Sequence, residues 1–177
     1  FSEAAAYGTM LVLVLLPSIA PILRMGSFSV PAGAAVTDGQ GRHLVPGHVD
    51  AHVHLRAASE LESYLRHGVT TVVNMRGSTE HVALREQLRR GELRGPRLYT
   101  TGPLMDGAPP IWDGDGTRVL SSAAEVDAAI AAHRRDGYDL VKVYNNLDPR
   151  LLAALVRGAR VHGLAVVGHL PRRPVRS

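Results

Sequence analysis

His52 and His54 are the residues whose types and spacing most clearly point to chemistry in this chain. They stand two positions apart, framed by the apolar residues Val53 and Leu55. Successive side chains of a β-strand alternate between its two faces, so a strand here would turn both imidazoles to one side. Neutral imidazole is a common ligand of transition metals. The pair therefore predicts half of a metal site, with two water-facing strand histidines as the alternative.

Lys142 is the second candidate, because it is the only lysine among the 20 basic residues of the sequence. It lies within the apolar run LVKVY, which is typical of a strand. An unpaired ammonium group is costly to bury, and burial favours loss of its proton. A neutral amine can react with carbon dioxide to form a carbamate, an anionic ligand with two oxygens. The alternative is a lysine near a strand end whose aliphatic stem carries the charge to water.

Two further polar residues stand at or near strand ends. His169 follows the apolar run LAVVG, and it could be a ligand, a surface histidine or a histidine with its hydrogen bonds satisfied in the core. Asp50 precedes His52 by two residues and would share its face of the strand. Its carboxylate could fix the tautomer of an imidazole, or it could cap a turn. Both interpretations of Asp50 stay open.

The elements that must position these residues alternate between β-branched runs and amphipathic stretches. The predicted strands cover about residues 45–54, 69–75, 97–101, 139–144 and 164–169. Four helices are predicted between them, ended by Gly68 and Gly137 as left-handed caps and started by Ser122 and by Asp148 before Pro149. This alternation is typical of a parallel sheet covered by helices.

The run PGHVDAHVH, which ends at His54, resembles the PGxxDxHxH signature of the amidohydrolase superfamily. These proteins are metal-dependent hydrolases built on a TIM barrel. The resemblance implies that His52 and His54 bind the more buried of two metals and that His169 binds the more exposed one. It also implies that Lys142 is carboxylated and bridges the two metals, and that zinc is the cofactor.

The resemblance also implies a fold class and a domain organisation. We expect an α/β chain with a partial TIM (β/α)8 barrel of about five strands and four helices, preceded by a partial β-sandwich segment. Residues 1–43 would form the extension and the partial sandwich, and residues 44–177 the first half of the barrel. Within the extension, residues 10–16 could form a strand, and residues 22–26 and 36–42 resemble sandwich segments of the family.

Length argues against a complete barrel. The chain has 177 residues, whereas a TIM barrel typically takes about 250. In the family, a histidine of strand 6 and an aspartate of strand 8 complete the site, and the aspartate acts as the general base. Neither position has a counterpart here, so no general base is assigned. A closed barrel would require a missing C-terminal half or an oligomer partner.

Composition narrows the other classes of function. The formal net charge is +4, but acidic residues are interspersed among the basic ones, so we expect no nucleic-acid partner. The chain has no cysteine, which excludes disulfides and thiolate ligands. The apolar segment 10–23 is too short to span a membrane and contains two prolines. It also lacks a basic region before it, which favours the cytoplasm, while secretion stays the alternative.

The function predicted from these residues is hydrolysis of carbon–nitrogen bonds in a small-molecule amide. The chain resembles the prolidase-like and imidazolonepropionase-like branch of the superfamily. The loop over residues 102–117, which contains Trp112, could shape the substrate pocket or be an ordinary connection. Four histidines fall on predicted helices and are not expected to be ligands: His67, His81, His133 and His162. The alternative function is a catalytically inactive fragment that serves in binding or assembly.

Overall fold

The computed structural model describes residues 31–172. The chain divides between Pro46 and Gly47 into two compact units. In the first unit, residues 31–46 contain turns but no helix or strand. A turn forms where Asp38 and Gly39 predict one, with the N–H of Arg42 donating to the carbonyl of Gly39 at 2.9 Å.

The hairpin expected at residues 36–42 is thus present only as a turn, because residues 31–46 form no paired strands. The other segments assigned to the partial β-sandwich, residues 10–16 and 22–26, lie outside the described residues. The partial sandwich and the domain boundary at residue 43 therefore stay predictions.

The second unit begins with three parallel strands in the order β1-β2-β3. The elements are β1 (His48–Val53), a 3-10 turn (Ala58–Glu60), α1 (Leu61–Arg66), β2 (Val69–Asn74), α2 (Thr79–Arg89) and β3 (Arg97–Thr100). Gly68 connects α1 to β2 with a φ of 77°, the left-handed conformation that glycine adopts without strain.

A second parallel sheet follows, in the order β5-β4-β6-β7. Its elements are β4 (Leu104–Asp106), β5 (Thr117–Val119), α3 (Ala123–Arg135), β6 (Leu140–Val143), α4 (Pro149–Val161) and β7 (Ala165–Gly168). One isolated parallel bridge, between Thr101 and Leu140, joins the end of β3 to the start of β6.

The bridge places the five expected strands side by side in sequence order, as β1, β2, β3, β6 and β7. The predicted fold class is confirmed: parallel strands and four α-helices form part of a TIM-like barrel, and residues 31–172 do not close it. The two short strands β4 and β5 were not predicted, because β4 lies in the segment interpreted as a loop and β5 begins at its last residue.

Helix starts follow the predicted capping residues. The side chain of Asp148 accepts a hydrogen bond from the N–H of Arg150 at 2.7 Å, ahead of Pro149 in the first turn of α4. At α3 the hydroxyl of Ser122 accepts from the N–H of Glu125 at 3.3 Å. The carboxylate of Glu125 reaches the N–H of Ser121 rather than that of Ser122, so the capping box is shifted by one residue.

Two apolar clusters pack the helices against the sheets. The smaller one lies between β1–β3 and helices α1 and α2: Val53, Leu55, Leu61, Val72 and Leu98. The larger one packs α3 and α4 against β6 and includes Val141, Val143, Ile130 and Leu155. The opposite face of both sheets, here called the inner face, is turned away from these clusters. No helix in the described range 31–172 is long and apolar enough to cross a membrane.

Candidate metal centre

The histidine pair lies on the inner face of β1 and the residue after it. Val53 and Leu55 are buried in the smaller cluster, while His52 and His54 are exposed on the other side. The two imidazole rings lie 5.3 Å apart, centroid to centroid, with their planes at 64°. The strand therefore presents both rings on one side, as a side-chain period of two requires.

The backbone of β1 is irregular where the pair begins. Its pairing with β2 slips between Asp50 and Val53, so the ladder skips this stretch. Within the slip, the carboxylate of Asp50 accepts a hydrogen bond from the backbone N–H of His52 at 3.1 Å. This is a local contact of the capping type, and a role of Asp50 in fixing an imidazole tautomer stays a prediction.

Lys142 lies in the middle of β6 with only 3% of its surface exposed. Its neighbours Val141 and Val143 pack into the larger cluster, so the lysine side chain leaves the strand on the inner face. Burial lowers the pKa of Lys142, because a charged ammonium loses hydration there. Burial is the main cause that lowers the pKa of His54 and of His169, and the positive charge of Lys142 lowers both further.

His169 follows β7 and is held by three contacts with the residues after Lys142. Its backbone N–H donates to the carbonyl of Val143 at 3.1 Å. Its Nδ1 lies 2.7 Å from Oδ1 of Asn145, and its ring stacks on that of Tyr144 at 4.4 Å. Since the amide oxygen can only accept, Nδ1 carries the proton and Nε2 keeps the lone pair that a metal would require.

The electrostatic environment of the site favours neutral imidazoles. Burial is the main cause that lowers the pKa of His54, followed by the charges of His52 and Lys142. Burial also leads for His169, followed by the charges of Lys142 and His52. Every charged group that shifts these two histidines is cationic, so an anion would be stabilised among them.

The donor set fits part of a metal centre. Two adjacent imidazoles, a buried amine and a third imidazole with a free Nε2 are ligands or ligand precursors of the expected types. Among residues 31–172, however, no group of three or more histidine and carboxylate side chains lies close enough together to hold one ion. The predicted metal site therefore stays a prediction, and it would require donors beyond those that the described residues bring together.

The loop after β4 is built around a buried carboxylate that sequence reasoning did not single out for this role. Asp106 is fully buried and accepts hydrogen bonds from the backbone N–H groups of Gly107, Ile111 and Asn146, at 2.9, 3.0 and 2.7 Å. The loop leads to Trp112, whose indole N–H donates to the hydroxyl of Tyr144 at 3.0 Å. The predicted loop over residues 102–117 thus reaches the residues around His169.

Sequence reasoning also missed Tyr144 and Asn145. Their signal is positional, because they follow Lys142 by two and three residues at the C-terminal end of a strand, where barrel active sites gather. The helical histidines lie on or beside their predicted helices. Of these, His81 contacts the carbonyl of Leu55, and His133 is buried under the bend at Gly102.

Several solved structures are similar to this chain in fold and are longer than it. A bottromycin amidohydrolase is 31% identical with a TM-score of 0.68, and the match covers 72% of this chain and 28% of that one. A candidate prolidase from Bifidobacterium longum is 27% identical with a TM-score of 0.66, covering 84% and 40%. A Xaa-Pro dipeptidase with methionine bound in its active site is 22% identical with a TM-score of 0.59, covering 70% and 43%.

The chain carries part of an amidohydrolase-superfamily fold. This confirms the resemblance inferred from the run that ends at His54. The amidohydrolase portion spans less than half the length of each of these three structures. No protein-family model and no curated protein matches the sequence.

Proposed function

We propose that this chain belongs to a metal-dependent hydrolase that cleaves a carbon–nitrogen bond in a small-molecule amide. One observation carries the proposal: His52, His54 and Lys142 are turned away from the apolar clusters, and the ring of His169 stacks on Tyr144, two residues after Lys142. Similar structures include an amidohydrolase and a Xaa-Pro dipeptidase, which supports an amide or dipeptide substrate.

In this proposal the histidine pair holds the more buried ion and His169 the more exposed one, with zinc as the metal. A bound divalent ion would supply Lewis acidity and lower the pKa of water. His52 and His54 are ready for this role because they lie side by side on one face. The hydrogen bond between His169 and Asn145 leaves the Nε2 of His169 free for the same purpose.

Lys142 would contribute as a carbamate. Its neutral amine nitrogen would attack the carbon of dissolved carbon dioxide and form a new N–C bond. One C=O π bond would break as its electron pair moves to oxygen, and one N–H proton would leave to solvent. The lowered pKa of Lys142 favours the neutral amine that this step needs. The resulting anion would also offset the cationic surroundings of His54 and His169.

Closing a barrel around this site requires more strands than residues 31–172 provide. A TIM barrel has eight strands, and five are present here in barrel order. We propose that the remaining strands, the further ligands and the general base come from additional chain or from a partner subunit.

A second candidate function has one observation in its favour. Because no three histidine or carboxylate side chains converge within residues 31–172, the chain by itself could be an inactive piece that serves in binding or assembly. Metal binding separates the two candidates.

The test measures the zinc content of the purified 177-residue chain in buffer containing bicarbonate. The hydrolase proposal expects about one zinc per chain, with loss of zinc on His52→Ala and His54→Ala and a further loss on Lys142→Ala. The matched control is His67→Ala, which removes an exposed histidine at the end of α1, outside the site. Zinc well below one equivalent, unchanged by Lys142→Ala, would favour the inactive piece.

A further inference from the structure

The backbone hydrogen bonds between β1 and β2 end close to the histidine pair. The carbonyl of Val53 accepts a hydrogen bond from the N–H of Met75 at 2.9 Å, two residues before Leu55. At Leu55 itself, side chains replace the backbone of the neighbouring strand as hydrogen-bond partners. The segment that carries His54 is therefore held differently from the rest of the strand.

Asn74 holds the N–H of Leu55. Asn74 ends β2 and is fully buried, and its Oδ1 accepts from that N–H at 3.1 Å. Its Nδ2 donates to Oγ1 of Thr100 at 3.2 Å and to the carbonyl of Arg76 at 3.3 Å. Since a backbone N–H can only donate, Oδ1 must face Leu55, and the two donor contacts fix the amide in that orientation.

His81 holds the carbonyl of Leu55. It stands in the first turn of α2, where its Nδ1 accepts from the backbone N–H of Ser78 at 3.1 Å. A backbone N–H cannot accept, so Nδ1 is unprotonated and the proton is on Nε2. Nε2 then donates to the carbonyl of Leu55 at 2.9 Å.

We propose that Asn74 and His81 are positioning residues that fix the direction of the His54 imidazole. They form hydrogen bonds with the backbone N–H and carbonyl of Leu55, the residue directly after His54. This role rests on the proposed metal site. Leu55 is buried in the smaller cluster, so loss of either contact would leave a buried backbone group unsatisfied. The backbone at Leu55 would rotate to find another hydrogen-bond partner, and this rotation would move the imidazole of His54.

The two contacts lie on the helix side of the strand, whereas the imidazole leaves on the inner face. Asn74 and His81, together called the Leu55 clamp, can therefore hold the strand without occupying the space of a metal or a substrate. A side-chain clamp suits this position because the ladder between β1 and β2 is already irregular at residues 50–53.

The test is zinc affinity of the full 177-residue chain, measured by competition with a chromophoric chelator. We expect His81→Phe and Asn74→Leu to weaken zinc binding by about 10–100-fold, the usual effect of losing groups that orient ligands. His81→Gln keeps an N–H donor and Asn74→Asp keeps an acceptor, so each should recover part of the loss. His67→Phe is the control, because the His67 ring forms its hydrogen bond with the carbonyl of Ser63, at the end of its own helix and away from Leu55.

A structural role alone would lower the thermal midpoint without changing zinc affinity, and that result would overturn the proposal. Equal affinities for His81→Phe and His67→Phe would overturn it as well. Hydrogen exchange of the Leu55 amide separates this proposal from the metal site itself. If no variant and not even the unaltered chain binds zinc, the hydrolase proposal fails. Protection of the Leu55 amide that disappears in Asn74→Leu then still supports the clamp, and an unprotected amide in the unaltered chain overturns it.

Discussion

The ring of Tyr144 lies against the ring of His169, with 4.4 Å between centroids and 28° between planes. The hydroxyl of the same tyrosine accepts a hydrogen bond from the indole of Trp112 at 3.0 Å. Tyr144 thus links a candidate ligand to the loop that follows β4. It contacts one partner through its ring face and the other through its oxygen, so the two contacts can be removed separately.

Removing only the hydroxyl should release Trp112. We expect Tyr144→Phe to increase acrylamide quenching of Trp112, the only tryptophan in the sequence, while far-UV circular dichroism stays unchanged. The matched control is Tyr99→Phe, because Tyr99 lies partly exposed on β3, away from the loop. Equal quenching in all three proteins would show that the hydroxyl does not hold the indole.

Asn145 should set the tautomer of His169. In Asn145→Ala the imidazole loses the acceptor that keeps the proton on Nδ1. We expect nitrogen chemical shifts of His169 to move from a pure Nδ1–H form towards a mixture of tautomers. Zinc affinity should fall by about 10-fold, as for other residues that orient metal ligands. A single unchanged tautomer in the variant would contradict this.

Stability should fall in mild acid because of His133. Burial, the main cause, lowers the pKa of His133 to about 4 from its usual 6.5, and its Nε2 has no hydrogen-bond partner. The unfolded chain takes up this proton below pH 6.5 and the folded chain only near pH 4. The free energy of unfolding therefore keeps its full value above pH 6.5 as far as His133 is concerned. It falls by about 3 kcal/mol in total as the pH falls towards 4.

Urea unfolding of the unaltered chain and of His133→Phe between pH 7.5 and 4 measures this contribution. As the pH falls, the free energy of unfolding of the unaltered chain should decrease relative to that of His133→Phe. The carboxylates titrate alike in both proteins, so the difference reports His133. Curves that stay parallel would show that His133 does not contribute.

Asp106 should be essential for the loop after β4. Asp106→Leu leaves three backbone N–H groups without their acceptor, and each buried donor left unsatisfied costs about 1–3 kcal/mol. We expect a marked drop in the thermal midpoint together with increased proteolysis at residues 107–112. Asp113→Asn, an exposed aspartate of the same loop, is the control and should behave like the unaltered chain.

The five strands β1, β2, β3, β6 and β7 could be predicted because local sequence favours them. Val69–Asn74, for example, is a β-branched run bounded by Gly68, and both its conformation and its start follow from residue type. The inner-face direction of His52 and His54 followed from a period of two. These features depend on residues close together in the chain, so sequence alone reveals them.

The contacts that hold the candidate ligands could not be predicted in the same way. Asn74 and Leu55 are 19 residues apart, and His81 is 26 residues from Leu55. Asp106 reads as one carboxylate among several in a loop rich in glycine and proline, and only the fold brings Asn146 to it. Such partners meet through tertiary packing, which a single sequence does not encode in its spacing.

The isolated bridge between Thr101 and Leu140 has a mechanical consequence. The histidine pair belongs to one sheet and Lys142 with His169 to the other, and this bridge is the only strand pairing between the sheets in the described part of the chain. An ion pair between Arg85 of α2 and Asp139, just before β6, at 2.6 Å also connects the two parts of the structure at this junction. The two parts of the candidate centre therefore lie on different sheets, so a ligand bound to both would cross-link the sheets beside this junction.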